Sequence, residues 1–246
     1  MEQRRRPAPR LAVLLAAATI PALLIAGCSS GSGGGSGGDS AKSTPTTGSG
    51  TASGTGGTTA EAPTTPAVPV KYAALPASCK SVTAATVSAL VPKAKTSGGT
   101  EAKSSDIASR GGCSWTGNGK DGYQYRWLSV ALQRFSNDAQ LGAGEAQAKK
   151  QFGEQVAALA KLPGGAVTSP LTGLGDQASM LHGRATIAKI TSQNATVVAR
   201  TGNVVVIVEL DGAGLEGKKN PSSQTVRSGA QRAAKDVVAA VAAANA

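Results

Sequence analysis

Histidine is almost missing from this chain: among 246 residues only His182 occurs. Metalloprotease and zinc-finger patterns need paired histidines or clustered cysteines, and neither exists, so no metal site is expected. A Ser-His-Asp hydrolase would have to use His182, which sits beside Gly183-Arg184 in what reads as an exposed turn. Aromatic residues make up only 3% of the chain, too few for an extended stacking platform for sugars. Cysteine is scarce too, with Cys28, Cys79 and Cys113 and no CxxC spacing, which argues against a redox or zinc pair. No calcium loop occurs, and Gly173-Leu174-Gly175-Asp176 lacks the Lys-Ser/Thr of a phosphate loop. The expected role of that segment is a turn in which Asp176 accepts hydrogen bonds from backbone amides. Gly27-Cys28-Ser29-Ser30-Gly31 formally matches a nucleophile elbow, but no strand precedes it. These absences point to a protein that is not an enzyme and needs no cofactor.

What is present begins at the N-terminus. Arg4-Arg5-Arg6 and Arg10 precede an apolar run from Leu11 to Ile25, and the run ends in Ile25-Ala26-Gly27-Cys28. A basic segment, an apolar segment and small residues at a cut site define a secretory signal peptide. The run is shorter than the roughly 20 residues that cross a bilayer, and Pro21 interrupts it. Pro7-Ala8 follow the arginines where a twin-arginine signal carries an apolar pair, which leaves the export route open. Ile25-Ala26-Gly27-Cys28 resembles the bacterial lipobox, in which signal peptidase recognises the three residues before the cysteine. That resemblance implies diacylglyceryl on the Cys28 sulfur, with Cys28 as the mature N-terminus on the outer face of the cytoplasmic membrane. Two or three acyl chains hold a protein firmly where one chain is marginal.

With Cys28 lipidated, Cys79 and Cys113 remain as an even pair in an oxidising compartment, and a disulfide between them is expected. Residues 28–70 follow the signal peptide of residues 1–27 and are dominated by Gly, Ser, Thr, Ala and Pro. Such a segment buries too little apolar surface to offset its ordering entropy, so a disordered tether is expected, with a reach of roughly 35 Å. The formal charge is +11, and residues 1–27 carry four arginines against Glu2, which leaves about +8 for the mature chain. A basic domain near a bilayer is attracted to anionic lipid or wall polymers. Nucleic acid is not expected as a partner, because the basic residues are scattered and the location is extracytoplasmic.

Residues 71–246 read as one domain. Helices are expected at Val82 to Val91, stopped by Pro92; from Asn137 or Asp138 through Leu159; and after an Asn220 cap with Pro221 in the first turn. The last carries Val226, Ala230, Ala233, Val237 and Val241 on one face. Strands are expected at Cys113-Ser114-Trp115-Thr116, through Leu128-Val130-Leu132, at Ala185 to Thr191 and at Ala195 to Arg200, then across a Thr201-Gly202-Asn203 turn into Val204 to Leu210. Short turns between consecutive strands imply antiparallel pairing. The expected fold is therefore α+β, a curved antiparallel sheet with helices packed on one face.

Cys79 opening a helix, Cys113-Ser114-Trp115, Gly173-Leu174-Gly175-Asp176-Gln177-Ala178, the Gly202-Asn203 hairpin and the Ala/Val-rich last helix occur in this order. Together with the lipobox and tether they resemble an actinobacterial lipoprotein family with a domain of unknown function. The domain is also similar to the outer sensor domain of some mycobacterial receptor kinases, which implies a mixed sheet-and-helix fold with a cleft. That sensor domain generally has two disulfides, and this chain has cysteines for one.

Candidate site residues follow from face-sharing. Tyr125 and Trp127 alternate on one strand face, where core packing is the expected role of each and the lining of a cleft the functional one. Glu209 and Asp211 share a strand face and read equally well as solvated charges; a deep pocket around two carboxylates with displaced pKa values would instead favour a hydrolase. The function expected is a ligand- or partner-binding or sensing module at the cell surface. The alternatives are an accessory subunit of a membrane or cell-wall complex, perhaps contacting a membrane protein, and a wall hydrolase. Cys28→Ala is expected to release the protein from the membrane or leave it unprocessed; unchanged membrane retention and lipid labelling of that variant would overturn the lipoprotein reading.

Overall fold

A computed structural model describes residues 69–162, 166–187 and 189–246. The signal peptide, Cys28 and nearly all of the tether lie outside the described residues. A short 3-10 turn at Ser78–Lys80 leads into α1 (Ala84–Leu90) and the strands β1 (Lys93–Ala94), β2 (Thr100–Glu101), β3 (Arg110–Asn118) and β4 (Gln124–Arg134). Then come α2 (Gly144–Ala160), β5 (Val167–Leu171), β6 (Gln177–Ile187), β7 (Ile190–Thr201), β8 (Val204–Gly214) and α3 (Ser223–Ala243). The eight strands form one open sheet in the order β1-β3-β4-β8-β7-β6-β5, with β2 also on β3. Every pairing is antiparallel, and the α+β class is the one expected.

Strand β8 is the axis. Val204, Val206, Val208 and Leu210 point to one face and join Val226, Ala230, Ala233, Val237 and Val241 of α3 in the main core. Val205 and Ile207 point to the other face, where they meet Ala148, Phe152, Val156 and Leu159 of α2 together with Leu181 and Val198. Helices thus cover both faces, α1 and α3 on one and α2 on the other, a correction to the single helical face expected. The cause is the composition of β8: five consecutive apolar residues give it no polar face to turn to water.

Helix boundaries follow capping chemistry. The Thr83 hydroxyl accepts a bond from the Thr86 amide at 3.2 Å to start α1, and the chain leaves the helix before Pro92. Ser222, not Asn220, caps α3, its hydroxyl accepting from the Thr225 amide at 3.0 Å. Asn220 instead accepts from the Gly214 amide at 2.7 Å and donates to the Thr191 carbonyl at 2.8 Å, fastening the end of β8. Helix α2 begins later than Asn137 because Asp138 folds the chain first, its side chain accepting the Gln140 and Leu141 amides at 2.8 Å. Leu141 is therefore 70% exposed rather than part of the buried stripe. The small residues of α3 let it approach closely: a Cβ on Gly229 would collide with Leu210 of the sheet.

Two polar hubs tie the sheet ends to the rest. Asn203, 1% exposed, accepts from the Tyr72 amide at 2.9 Å and donates to the Tyr72 and Phe135 carbonyls at 2.9 and 2.7 Å. Arg200 pairs with Glu145 at 3.1 Å and Asp176 at 3.3 Å, and donates to Gln177 and to the Gly202 carbonyl at 2.9 Å. The Asp176 carboxylate also accepts from the Gly202 amide at 2.6 Å, the turn role expected for it.

Cys79 and Cys113 form the expected disulfide, with Cα atoms 5.0 Å apart, joining the 3-10 turn to β3. Trp115 is 1% exposed and donates from its indole to the Ser97 carbonyl at 3.2 Å. Gly99, at φ 79°, lies against both Trp115 and the Cys113 sulfur where a side chain would not fit. The oxidised domain should show no free thiol at Cys79 or Cys113. Cys79→Ser with Cys113→Ser should lower its urea-unfolding free energy by roughly 3–4 kcal/mol; titration of two thiols in the native protein would contradict the pairing.

Candidate functional site

The sheet face under α2 changes character along its length. Near the start of α2 it is apolar and closed by Val205, Ile207, Val198 and Leu181. Toward the other end of β8 the same face becomes polar, because the residues alternating with the buried valines are now Glu209 and Asp211. Antiparallel register lines up cross-strand rows, and directly opposed residues project to the same side. One row runs Ser114, Ser129, Glu209, Thr196 and Leu181; the next runs Thr116, Trp127, Asp211, Asn194 and Gly183. Tyr125 follows, between Asn118 and Ala213. Tyr125 and Trp127 are therefore placed together with the two carboxylates, each half-buried on this face rather than in either core. Thr196, at 8% exposure, closes the floor.

Neither carboxylate meets a cation or hydrogen-bond donor among the described residues, and Asp211 Oδ1 is buried without a partner. Burial raises the pKa of Glu209. Burial, and then the neighbouring Glu209 charge, raise Asp211 to about 8. Burial also raises Tyr125; a hydrogen bond with Thr116 opposes this and the Asp211 charge adds to it. Near neutral pH Asp211 thus retains its proton and presents an acidic O–H beside the Glu209 carboxyl group, whose own pKa burial also raises. Glu209 and Asp211, which read equally well as solvated charges, are half-buried in the structure.

Against the end of α2, Leu159, Leu162, Asn194, Thr196 and Glu209 border a cavity of about 60 Å³. That cavity is far below the roughly 300 Å³ at which ligand pockets begin, and Asp211, Tyr125 and Trp127 do not line it. Among the described residues no group of three or more His, Cys, Asp or Glu is placed to hold a metal. No described helix is long and apolar enough to cross a membrane.

His182 is not in a loop, as the sequence suggested, but in β6, opposite Val167 and Ala195. Burial, then the Arg227 charge, lower its pKa, so it is neutral at physiological pH. Sequence reading missed Thr116, Ser129, Asn194 and Thr196 as companions of the carboxylates. The available signal was a polar residue at every second position of strands whose other face is apolar; which strands become neighbours is set by the register.

The fold defines an α+β protein built on one open antiparallel sheet. No known protein family matches the chain, and no curated protein sequence matches it. Among solved structures it is similar to LpqN, whose crystal structure is described as that of a protein involved in cell envelope biogenesis of Mycobacterium tuberculosis. Identity is 17%, with 56% of this chain and 82% of that chain covered, at a TM-score of 0.30. A likeness of that size carries no argument about function.

The carboxylate pair has a measurable consequence. The folded chain holds the Asp211 proton up to about pH 8, whereas an unfolded aspartate releases it near pH 4. Between these values the native state binds the extra proton, so Asp211 makes stability fall as pH rises from about 4 to about 8. Asp211→Asn should therefore melt several degrees above the parent near pH 8, with the gain vanishing near pH 4. A pH-independent gain, or a loss near pH 8, would contradict the buried, unpaired state of this carboxylate.

Proposed function

We propose that the protein is an extracytoplasmic lipoprotein, anchored through acylated Cys28 on the outer face of the cytoplasmic membrane, that presents its domain as a non-enzymatic binding or sensing module. The observation that carries the binding reading is the polar face around Glu209 and Asp211, where two desolvated carboxyl groups stand side by side and Asp211 Oδ1 has no partner among the described residues. Burying a carboxyl group without a hydrogen-bond partner is costly even when it keeps its proton, and a site that holds two such groups together is better explained by an external ligand than by stability. Tyr125 and Trp127 beside the carboxylates supply apolar, polarisable area for contact. The Ile25-Ala26-Gly27-Cys28 sequence and the Gly/Ser/Thr/Pro-rich tether support the anchored location.

The wall-hydrolase alternative gains the displaced carboxyl groups, while the cavity that Glu209 borders, about 60 Å³, is too small to admit a wall polymer. The accessory-subunit alternative calls for an apolar docking patch. Large exposed apolar side chains are instead spread over separate elements, as with Ile107 before β3, Leu141 before α2, Val167 on β5 and Ile190 on β7.

A photo-crosslinking amino acid in place of Trp127, in the anchored protein in living cells, tests the reading. A defined adduct is expected, and Glu209→Gln with Asp211→Asn should reduce its yield at least severalfold. No adduct, or one indifferent to the two carboxylates, would overturn the binding face. Wall fragments released by the purified protein and abolished by Asp211→Asn would overturn the non-enzymatic part.

A further inference from the structure

On the opposite face, where α1 and α3 lie, the sheet carries a charge that the proposed function does not use. Arg126 stands between Gly117 of β3 and Gly212 of β8, both without side chains, in register with Arg126 itself. A Cβ on Gly212 would collide with the guanidinium and with Pro221, so Gly212 makes the room in which Arg126 lies over the sheet, while the bare Gly117 lets β1 approach at Lys93 and Ala94. One guanidinium nitrogen, Nη2, donates to Gln124 Oε1, and Gln124 is itself held by donating to the Lys219 carbonyl at 2.9 Å. The other, Nη1, is buried and has no acceptor. Burial pulls the Arg126 pKa down, and the Asp121 charge only partly opposes this.

Arg126 borders a cavity of about 330 Å³, within the roughly 300–1,000 Å³ of small-molecule sites. One side of it is apolar, formed by Leu90 at the end of α1, Pro92 after it, Leu210 on β8 and Val226 in the first turn of α3, and the other is polar, with Lys120, Asp121 and Gln124. Among the charged residues lining it, Lys120 and Arg126 face only Asp121, which leaves one positive charge unbalanced. The first turn of α3 adds the positive end of a 21-residue helix on the same side. A cavity with one apolar side, one unbalanced positive charge and a guanidinium at its border is complementary to a monoanion with an apolar body. A carboxylate matches the planar guanidinium, and its single charge fits the balance better than a dianionic phosphate.

We infer that this cavity is a second binding site, separate from the Glu209–Asp211 face, for a small amphiphilic carboxylate of the kind represented by a medium-chain fatty acid. The carboxylate accepts from the Arg126 guanidinium, and the chain lies along Leu90, Pro92 and Val226.

Titration calorimetry with decanoate, below its micelle concentration, tests this on the full-length chain carrying Cys28→Ser, so that no acyl chains of its own compete. Decanoate should bind one per chain. Arg126→Gln should weaken it at least tenfold, and decylammonium, with the same tail and opposite charge, should not compete. Ala89→Trp at the exposed rim of the cavity leaves the Arg126 contacts intact, provides an independent block and should weaken binding to a similar extent. Glu209→Gln, on the other face, should leave decanoate affinity unchanged, which separates this site from the proposed function. The inference is overturned if decanoate does not bind the parent chain, if Arg126→Gln and Ala89→Trp both bind as the parent does, or if decylammonium binds equally well.

Discussion

The two-sided burial of β8 is the constraint on which the rest of the molecule depends. Its valines from Val204 to Val208 leave no solvent-facing side, so the sheet is covered by α3 on one face and α2 on the other. Burying a valine fully is worth about 1.5–3 kcal/mol, and each of these residues contributes to one of two cores that share a strand. Strand β8 also lies between β4 and β7, so its backbone is hydrogen-bonded on both edges. Displacing it would open both cores at once.

The same strand then makes the site. Apolar alternation persists toward α3 through Leu210, while on the α2 side it gives way to Glu209, which borders the end of the helix, and then to Asp211. Charges that a strand would normally turn to water are thus set between Trp127 and Asn194, partly desolvated and close to each other. At the opposite end of that face Arg200 is buried too, but it is paired with Glu145 and Asp176. Within one face, then, the chain satisfies the charge that holds its hairpin turn and leaves unsatisfied the two carboxylates that do not. Arg126, on the other face, is the converse case, a cation short of an acceptor.

Much of the fold was legible. The α3 stripe from Val226 to Val241, the Gly202-Asn203 turn, the Asp176 turn and the Cys79–Cys113 bridge follow from periodicity, turn chemistry and cysteine arithmetic, and each occurs as expected. Misreadings arose where two local rules competed. Asn137 and Asp138 look like a helix start, yet Asp138 captures the next amides in a turn and delays α2 to Gly144. Asn220 looks like a cap because Pro221 follows it, but a buried strand end needed its amide more. His182 beside Gly183 looks like a loop, yet register with Ala195 keeps it in β6.

The sequence by itself carries the expectation of a secretory leader and lipobox, and it sufficed for the Cys79–Cys113 pairing and the α+β class, because these rest on residue types and their alternation along the chain. It also placed Tyr125 with Trp127, and Glu209 with Asp211, since period-two alternation along a single strand suffices for that. That the two pairs occupy one face, desolvated and side by side, was decided only by the pairing of β4 with β8. So was the lodging of Arg126 between Gly117 and Gly212. Strand register depends on long-range closure and on the packing of both faces at once, and no local pattern in the chain encodes it.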